Sequence, residues 1–421
     1  MGTTLATTAT ELREEVRSWL DEHWDRTLPR TRWLELVVEA RYAVPTWSTE
    51  WFGRGLDGET AEVIVDEFKR VGAPGAAQDK HNLWANTVLS FGTQALKEQF
   101  VRRLLVDDVK MCLLYSEPGA GSDLAGLQTR AELDGDEWVV NGQKVWTSSG
   151  KEAEYGMLVA RTNWDVPKHR GISFFWCPMR QPGVDVRPLK QITGESHFNE
   201  VFLDDVRVPA DHLVGPLDGG WRVLQTALAY ERSVMGDLAR GPRSGAPAEG
   251  QAVIVGEQEG GRGDKPLAAP GPQAAEVDLW ALAKEMGRDQ DPAIRQAIAR
   301  VHELRMVNTW NGLRAKAHLE QGSSSPILSL GKLAMSRILH EGAHVQRLIV
   351  GSEALLYGKD NPRGDDANFL SLNAFFTSIG GGTDQIQRNI IGERVLGLPR
   401  EPEVDRDLPF SAVTKATVQR R

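Results

Sequence analysis

The sequence predicts an α+β protein with an N-terminal helical domain, a middle antiparallel β-domain and a C-terminal four-helix bundle. Apolar residues recur at helical spacing before residue 110 and again after residue 220, which is typical of amphipathic helices. Short β-rich runs fill the part between and leave no room for crossover helices, so a largely antiparallel sheet is expected. The predicted divisions are 1–110, 111–219 and 220–400, with a tail at 401–421.

Local patterns predict the elements of the first two parts. Leu12, Val16 and Leu20 recur at helical spacing among charged residues, and two further amphipathic stretches cover 59–71 and 93–105. The pair Asn141-Gly142 lies between two β-rich runs and predicts a hairpin turn there. Strands are expected at 137–140, 144–147, 155–161, 171–177, 184–189 and 200–208.

Helical periodicity returns near Gly220 and continues to about Leu396. Residues 241–275 interrupt it, because they are rich in Gly, Pro and Ala and show little apolar periodicity. They predict a surface loop within the C-terminal bundle. The tail after Pro399 is expected to be irregular.

The composition excludes several functional classes. The chain of 421 residues has an ordinary globular composition, and its net charge of −9 with scattered basic residues predicts no nucleic-acid partner. The first residues do not form a signal peptide, and no apolar run of about 18 residues occurs, so no membrane span is expected. Cys112 and Cys177 form no CxxC pair, which predicts neither a disulfide framework nor a Cys-based zinc site and favours a reduced, cytoplasmic setting.

Residues 115–126 form the first segment that indicates chemistry. They pass from an apolar run into small, flexible residues, and backbone N–H groups of such a loop can approach a ligand closely. The segment is not a GxGxxG sequence, so a dinucleotide-binding βαβ unit is not indicated. A plain surface loop between a helix and a strand would have the same composition.

Two further segments carry comparable signals. Trp146 lies in a β-rich run at 141–150, where a Trp often serves core packing alone. The three glycines at 380–382 precede a predicted helix with apolar residues at Ile386 and Ile390. A Gly-rich approach to the positive N-terminus of a helix is a natural anion site, although a simple turn gives the same pattern.

In their order and spacing, the three segments resemble the signature motifs of the acyl-CoA dehydrogenase family over residues 10–400. The resemblance implies a homotetrameric or homodimeric flavoenzyme that uses FAD to desaturate the α–β bond of an acyl-CoA thioester. It also implies an electron-transfer flavoprotein as the electron acceptor. The segment 241–275 and the residues after 400 fall outside the resemblance.

In this family the first motif lines the flavin ring and the acyl-CoA entrance, the second packs its Trp against the flavin, and the third contacts the AMP part of FAD. Ser122 is expected near the pantetheine or phosphate end of the ligand. The backbone N–H of Gly381, together with a ribityl hydroxyl of FAD, is expected at the thioester carbonyl oxygen. The matching FAD-binding positions are Leu114, Ser116, Gly121, Ser122, Trp146, Thr147, Ser148, Gly382, Thr383 and Gln385.

The catalytic base has to lie outside the third motif, because Gly381 occupies the position where many members carry a glutamate. On the predicted helix 221–239, Glu231 falls on the apolar side together with Leu224. Burial there would raise the carboxyl pKa, as suits a general base near neutral pH, but a Glu paired with a buried Arg or placed at an interface shows the same pattern. Isovaleryl- and long-chain-type members place their base in a Glu-Arg pair on this helix. The resemblance therefore implies Glu231 as the base and Arg232 as a ligand-binding residue.

Two further positions correspond to FAD contacts of family members, the first of them on a helix that reaches the FAD pyrophosphate of the neighbouring subunit in the family. The Arg-x-x-Phe of the family becomes 285–288 here, in which Arg288 substitutes with a shift. Gln296 matches a FAD-binding Gln of the family.

Three other interpretations remain. Residues 340–344 match the HExxH pattern of zinc proteases, but Gly342 inside it weakens the match, and no metal is expected. Gly381 would also suit a base-lacking subunit of a heteromeric assembly, against which Glu231 argues. The third interpretation keeps the fold and changes the substrate to a carrier-protein thioester, a nitroalkane or a biosynthetic intermediate.

Overall fold

A computed structural model describes residues 8–238, 277–320, 328–400, 402–403 and 405–413. The predicted loop at 241–275 and the last residues of the predicted tail lie outside the described residues. Within the described part, no helix is long and apolar enough to cross a membrane. The same part contains no cluster of three or more His, Cys, Asp or Glu side chains that could hold a metal ion.

The N-terminal part is helical, as predicted. Its first helix begins at the N-cap Thr8, whose hydroxyl accepts from the Glu11 N–H while the Glu11 carboxylate accepts from the Thr8 N–H. The buried face of this helix packs into a core that includes the fully buried Trp33 and Phe68. The helices are α1 (Ala9–His23), α2 (Arg30–Glu39), α3 (Gly58–Val71), α4 (Gln78–His81), α5 (Leu83–Phe91) and α6 (Gln94–Leu105).

The middle part is one seven-stranded sheet in the order β1-β4-β2-β3-β7-β6, with β5 paired to β4. Most pairs are antiparallel, as expected, but β1 and β4 run parallel over four residue pairs. No crossover helix joins β1 to β4, because the chain between these two strands forms the hairpin of β2 and β3. The strands are β1 (Met111–Leu114), β2 (Arg130–Asp134), β3 (Glu137–Ser148), β4 (Tyr155–Arg161), β5 (Ile172–Pro178), β6 (Val184–Leu189) and β7 (Phe198–Pro209).

The hairpin predicted at Asn141-Gly142 is wrong. Strand β3 continues through this pair, and the turn lies instead at Gly135, where φ is 66°. The register with β7 shifts between Val140 and Gly142, so the pair forms a β-bulge rather than a turn. Glycine is required at 142 because a Cβ there would lie 2.4 Å from Oγ1 of Thr129.

The C-terminal part is helical, and α10 is its centre. Helix α10 packs against α7, α9, α11 and α12, and it also contacts α8. The helices are α7 (Gly220–Leu238), α8 (Leu279–Glu285), α9 (Pro292–Glu320), α10 (Leu328–Val350), α11 (Pro362–Ile379) and α12 (Asp384–Arg394).

Helix α7 is the junction between all three parts of the chain. It contacts α4 and α5 of the N-terminal part, β5 of the sheet and α10 of the C-terminal part. Its start lies so close to β5 that a Cβ on Gly220 would be 2.4 Å from the carbonyl carbon of Ser173. Val223, Leu224 and Ala227 then bury one face of the helix. The predicted position of the base therefore lies on a helix that is in contact with the N-terminal part, the sheet and α10.

Candidate active site

The loop of the first motif is fastened to strand β3 by a buried ion pair. The Nζ atom of Lys144 lies 2.8 Å from a carboxylate oxygen of Glu117 and also donates to the carbonyl of Tyr115. The Glu117 carboxylate additionally accepts from the backbone N–H groups of Gln128 and Thr129. These bonds fix both ends of the loop that follows β1.

Burial and pairing act in opposite directions on this ion pair. Burial by itself would raise the pKa of the Glu117 carboxyl, but the Lys144 ammonium and the N–H donors outweigh it and lower that pKa. Burial lowers the pKa of Lys144, and the Glu117 charge opposes that shift. Each charge therefore depends on the other, as is typical of an ion pair away from water.

A second set of bonds aligns the first two motifs side by side. The N–H of Val145 donates to the carbonyl of Ser116 at 2.9 Å, and the Thr147 hydroxyl donates to the carbonyl of Leu113 at 3.1 Å. Thr147 is buried, whereas Ser116 and Ser148 are half-buried. Ser116 therefore lies beside Val145, and Ser148 lies two residues after the exposed Trp146.

Trp146 projects from the sheet through an irregular backbone. Its φ is 62°, a left-handed conformation that is rare for a bulky residue. The register of β3 with β7 shifts between Lys144 and Thr147, which marks a second bulge in the strand. The indole is 59% exposed, so the bulge turns a large aromatic side chain out of the core. Such a feature is common beside ligand sites and has no benefit for packing.

A path of aromatic contacts joins Trp146 to the third motif. The ring of Phe198 lies edge-on to Trp146 at 5.9 Å between centroids, and Phe376 lies 5.6 Å from Phe198. The carbonyl of Phe376 accepts from the N–H of Gly380 at 2.7 Å. The structure thus brings the second and third motifs together across the border between the sheet and the C-terminal helices.

The third motif forms a left-handed turn in front of α12. Gly381 and Gly382 have φ values of 63° and 87°, which favour glycine. The Thr383 side chain accepts from the N–H of Ile386 and caps the helix. Gln385 is exposed at the first turn of the helix. The turn therefore presents backbone N–H groups and the side chain of Gln385 near the N-terminus of α12.

A buried amide supports the turn from below. This is the side-chain amide of Gln387, which donates through Nε2 to the carbonyl of Gly381 at 3.1 Å. The Oε1 atom of Gln387 is buried and, among the described residues, has no hydrogen-bond partner. An orphaned acceptor of this kind next to a Gly-rich turn indicates that the surroundings are completed by another group.

Asp384, the residue after Thr383, belongs to a polar network at the start of α12. Asp384 pairs with Lys332 at 3.4 Å and accepts from the Ser336 hydroxyl at 2.9 Å. The ring Nε2 of His340, the first histidine of the HExxH match, lies 2.7 Å from the hydroxyl of Ser378. The network links α10, α11 and α12, which gives His340 a place in helix packing.

The predicted base lies on α7, but its side chain lies outside the described residues. Glu231 and Arg232 are both within the helical bounds of α7. The position of Glu231 comes four residues after Ala227 and seven after Leu224, both of which are buried. Helical periodicity puts these three positions on one face. The roles of Glu231 and Arg232 stay predictions.

The remaining predicted residues have varied surroundings. Gly121 and Ser122 are exposed in the first loop, whereas the Leu114 side chain is fully buried, so a contact with a cofactor from Leu114 would come from its backbone. Arg288 donates to the carbonyls of Leu348 and Ile349 at the end of α10.

Gln296 is exposed on α9. Neither Arg288 nor Gln296 is in contact with the three motifs in the described residues, and both stay predictions of FAD contacts.

The residues that organise this site are not among those predicted to bind FAD or the substrate. Glu117 and Lys144 were part of the motifs, and a charged residue inside a β-rich run was a usable signal for Lys144. Phe198 and Phe376 carry no local signal, because their contact joins two parts of the chain that are distant in sequence.

Comparisons with known proteins identify the family of this chain. Residues 3–107 match the acyl-CoA dehydrogenase N-terminal domain, and residues 112–206 match the middle domain. The chain is 34% identical to the acyl-CoA dehydrogenase IpdE1 of Mycobacterium tuberculosis, over 93% of this chain and 98% of that protein. It is 29% identical to the mitochondrial isovaleryl-CoA dehydrogenase of Pongo abelii, over 55% of this chain and 58% of that protein.

Among solved structures, the ChsE4-ChsE5 complex from Mycobacterium tuberculosis matches with a TM-score of 0.63 and 27% identity, over 95% of this chain and all of that chain. The fold and the three assembled motifs define a flavin-dependent oxidoreductase of the dehydrogenase type. The chain belongs to the acyl-CoA dehydrogenase family. FAD is therefore its cofactor.

The residues of the described site fit a flavin. The exposed indole of Trp146 offers an aromatic face, and Ser116 and Ser148 place polar groups beside it. The turn at Gly381 and Gly382 has no side chains that would block a close approach of a cofactor to the backbone. These residues would hold the cofactor between the sheet and α12.

Replacing Trp146 with Ala is expected to weaken FAD binding about fivefold, because an aromatic contact contributes roughly 1 kcal/mol beyond its buried area. The indole is largely exposed, so the free energy of unfolding of the apoprotein should change by less than about 0.5 kcal/mol. Fluorescence titration of apoprotein with FAD and urea unfolding measure the two effects. Ile192→Ala, which removes another exposed apolar side chain of the same part, is the matched control. Equal FAD affinity in Trp146→Ala and the wild type would show that the indole does not contact the cofactor.

Proposed function

We propose that this enzyme catalyses α,β-dehydrogenation of an acyl-CoA thioester, with Glu231 as the base. The observation that carries the proposal is the aromatic path from Trp146 through Phe198 and Phe376 to Gly380, because it gathers the flavin motifs at one place. When bound, FAD supplies the acceptor for the hydride from the β-carbon.

Glu231 takes the α-proton of the substrate and holds it on its carboxyl group. The thioester carbonyl acidifies the α C–H, and a base on a largely apolar helix face has a raised pKa suited to this step. The buried residues Leu224 and Ala227 on that face support such surroundings. Arg232, the next residue on α7, binds a polar group of the ligand.

Gly381 stabilises the charge that develops on the thioester oxygen. Its backbone N–H belongs to a left-handed turn, and the carbonyl of the following peptide unit accepts from Gln387, so the turn that carries the N–H is restrained. A fixed donor aimed at a developing oxyanion contributes more than a mobile one, because it needs no reorganisation. Ser122, exposed in the first loop, binds the pantetheine or phosphate end of the ligand.

Anaerobic titration of the purified, FAD-loaded protein tests the proposal. We expect at least one of butyryl-, isovaleryl-, octanoyl- and palmitoyl-CoA to bleach the flavin absorbance, since transfer of hydride reduces the chromophore. The corresponding free acids serve as controls, because they lack the thioester that acidifies the α C–H. Bleaching by a carrier-protein thioester or a nitroalkane, with none by any acyl-CoA, would replace the substrate in the proposal.

We propose further that the C-terminal helices form the subunit interface of a homotetramer or homodimer. Several apolar side chains of these helices are more than half exposed in the single chain, which is unusual for a surface in water. They are Trp310 and Leu313 of α9 and Phe375 and Ile379 of α11. Electron-transfer flavoprotein is the proposed electron acceptor.

A heteromeric assembly is the second candidate. Its support is the solved relative, which is a complex of the two proteins ChsE4 and ChsE5, together with Gly381 at the position where many members carry their base. In that case this chain could be the partner without a base. Bleaching of the homomer by an acyl-CoA distinguishes the candidates, because a base-lacking subunit alone would remain oxidised.

A further inference from the structure

The end of the described chain packs against the connection between β4 and β5, beside the loop of the first motif. The N–H of Phe410 donates to the carbonyl of Val166 at 2.9 Å, and the N–H of Ser411 donates to the carbonyl of Trp164 at 2.8 Å. Phe410 is buried by this contact. The tail was predicted to be irregular, but these residues make defined backbone hydrogen bonds with the rest of the chain.

Phe410 covers a buried guanidinium. The Arg161 guanidinium carbon lies 3.6 Å from the centroid of the Phe410 ring, and Arg161 is fully buried. Arg161 donates to the carbonyls of Ala125 at 2.7 Å, Leu127 at 3.1 Å and Lys168 at 3.0 Å. Two of these acceptors belong to the loop that carries Ser122, so Arg161 anchors that loop to β4.

A second contact of the chain end reaches the same loop. The Nζ atom of Lys168 lies 2.6 Å from a carboxylate oxygen of Glu403 and 3.2 Å from one of Asp123. Lys168 is buried except for a small part of its surface. Burial lowers the pKa of Lys168, but Glu403 and Asp123 outweigh it and raise that pKa. The ammonium therefore joins the tail to the residue that follows Ser122.

The loop has an open stretch between the Glu117 pair at one end and the Arg161 contacts at the other. A Cβ added at Gly119 or Gly121 would meet no atom within 4 Å, which describes an open, glycine-containing segment. Without the ring of Phe410, water would reach the Arg161 guanidinium and compete for its three carbonyl acceptors. The order of the loop therefore depends on Phe410, which lies almost three hundred residues later in the sequence.

We infer that Phe410 is a positioning residue for the ligand: by seating Arg161 it holds the loop at 122–127 in the conformation that receives the CoA part of the substrate. Glu403 assists through Lys168. The inference rests on the proposed function, because it takes the ligand at this loop to be an acyl-CoA. The loop lies away from the reacting bond, so Phe410 acts on ligand affinity and not on the chemical step.

The Phe410→Ala variant of the FAD-loaded enzyme tests this inference. The apparent Kd for the acyl-CoA that bleaches the wild type most is expected to rise about tenfold, with the bleaching rate at saturating acyl-CoA unchanged. Phe410→Tyr keeps a ring over the guanidinium and should restore the wild-type Kd. Leu408→Ala, which removes an exposed side chain of the same segment, is the control and should leave the Kd unchanged.

Hydrogen exchange of the same variants gives a second readout that needs no substrate. The N–H groups of Gly126 and Leu127 are bonded to the carbonyls of Asp123 and Leu124, and they should exchange faster in Phe410→Ala than in Phe410→Tyr. Unchanged exchange in Phe410→Ala, or an equal change in Leu408→Ala, overturns the inference. If no acyl-CoA bleaches the wild type, the proposed function fails, and the exchange rates alone decide whether Phe410 positions the loop.

Discussion

Glu231→Gln is expected to retain FAD and to bleach about 10²- to 10⁴-fold more slowly with an acyl-CoA that bleaches the wild type rapidly. The amide has nearly the same shape as the carboxyl but does not accept the α-proton, and a positioned general base typically contributes a factor of this size. Stopped-flow absorbance under anaerobic conditions measures the rate, and the flavin spectrum of the purified variant measures cofactor content.

Two further variants make the result specific to Glu231. Glu231→Asp keeps a carboxylate on a shorter side chain and should recover part of the rate, because the group is retained but displaced. Glu341→Gln, in the HExxH match on α10, should bleach like the wild type. If Glu231→Gln bleaches at the wild-type rate, another residue is the base.

Glu117→Gln is expected to lower the free energy of unfolding by about 3–5 kcal/mol, the usual cost of leaving one charge of a buried ion pair without its partner. Lys144 has no exposed side-chain surface, and its remaining acceptors, the carbonyl of Tyr115 and the new amide oxygen, would carry no negative charge. Urea unfolding of the apoprotein measures this effect without any contribution from FAD binding.

The double variant Glu117→Gln/Lys144→Met should lose less stability than the two single variants lose in sum, because it leaves no unpaired charge in the interior. The control is the pair between Lys80 and Glu62, which has a similar distance of 2.9 Å but exposed side chains. Lys80→Met should cost only about 0.2–1 kcal/mol. A loss of that size in Glu117→Gln would mean that the buried pair does not fasten the loop.

Much of this architecture follows from local sequence patterns. The bounds of β4 and β6 were predicted from short β-rich runs, and most of α3, α6 and α7 was predicted from helical periodicity. The parallel pairing of β1 with β4 was not predicted, because it depends on the path of the chain between them and not on either strand. Asn141-Gly142 was assigned to a turn because its composition suits a turn and a bulge equally well.

The residues of the site also fall into a group that the sequence predicts and a group that it does not. The residues with a recognisable pattern, such as Trp146 and Thr383, could be selected from the sequence alone. Contacts between parts that are remote in sequence could not, and these include the rings of Phe198 and Phe376 and the seat of Phe410 on Arg161. A polar residue in an apolar run shows that burial has to be compensated, but it does not show which partner compensates it.

The parallel pairing of β1 with β4 also bears on how the enzyme matures. Strand β1 gains its partner only after the chain has been made as far as Tyr155, and long-range pairing of this kind is slow because loop-closure entropy opposes it. We therefore expect the loop that leaves β1 to take its final shape only once the chain as far as β4 has joined the sheet. On this expectation, the protein acquires its yellow colour late in folding.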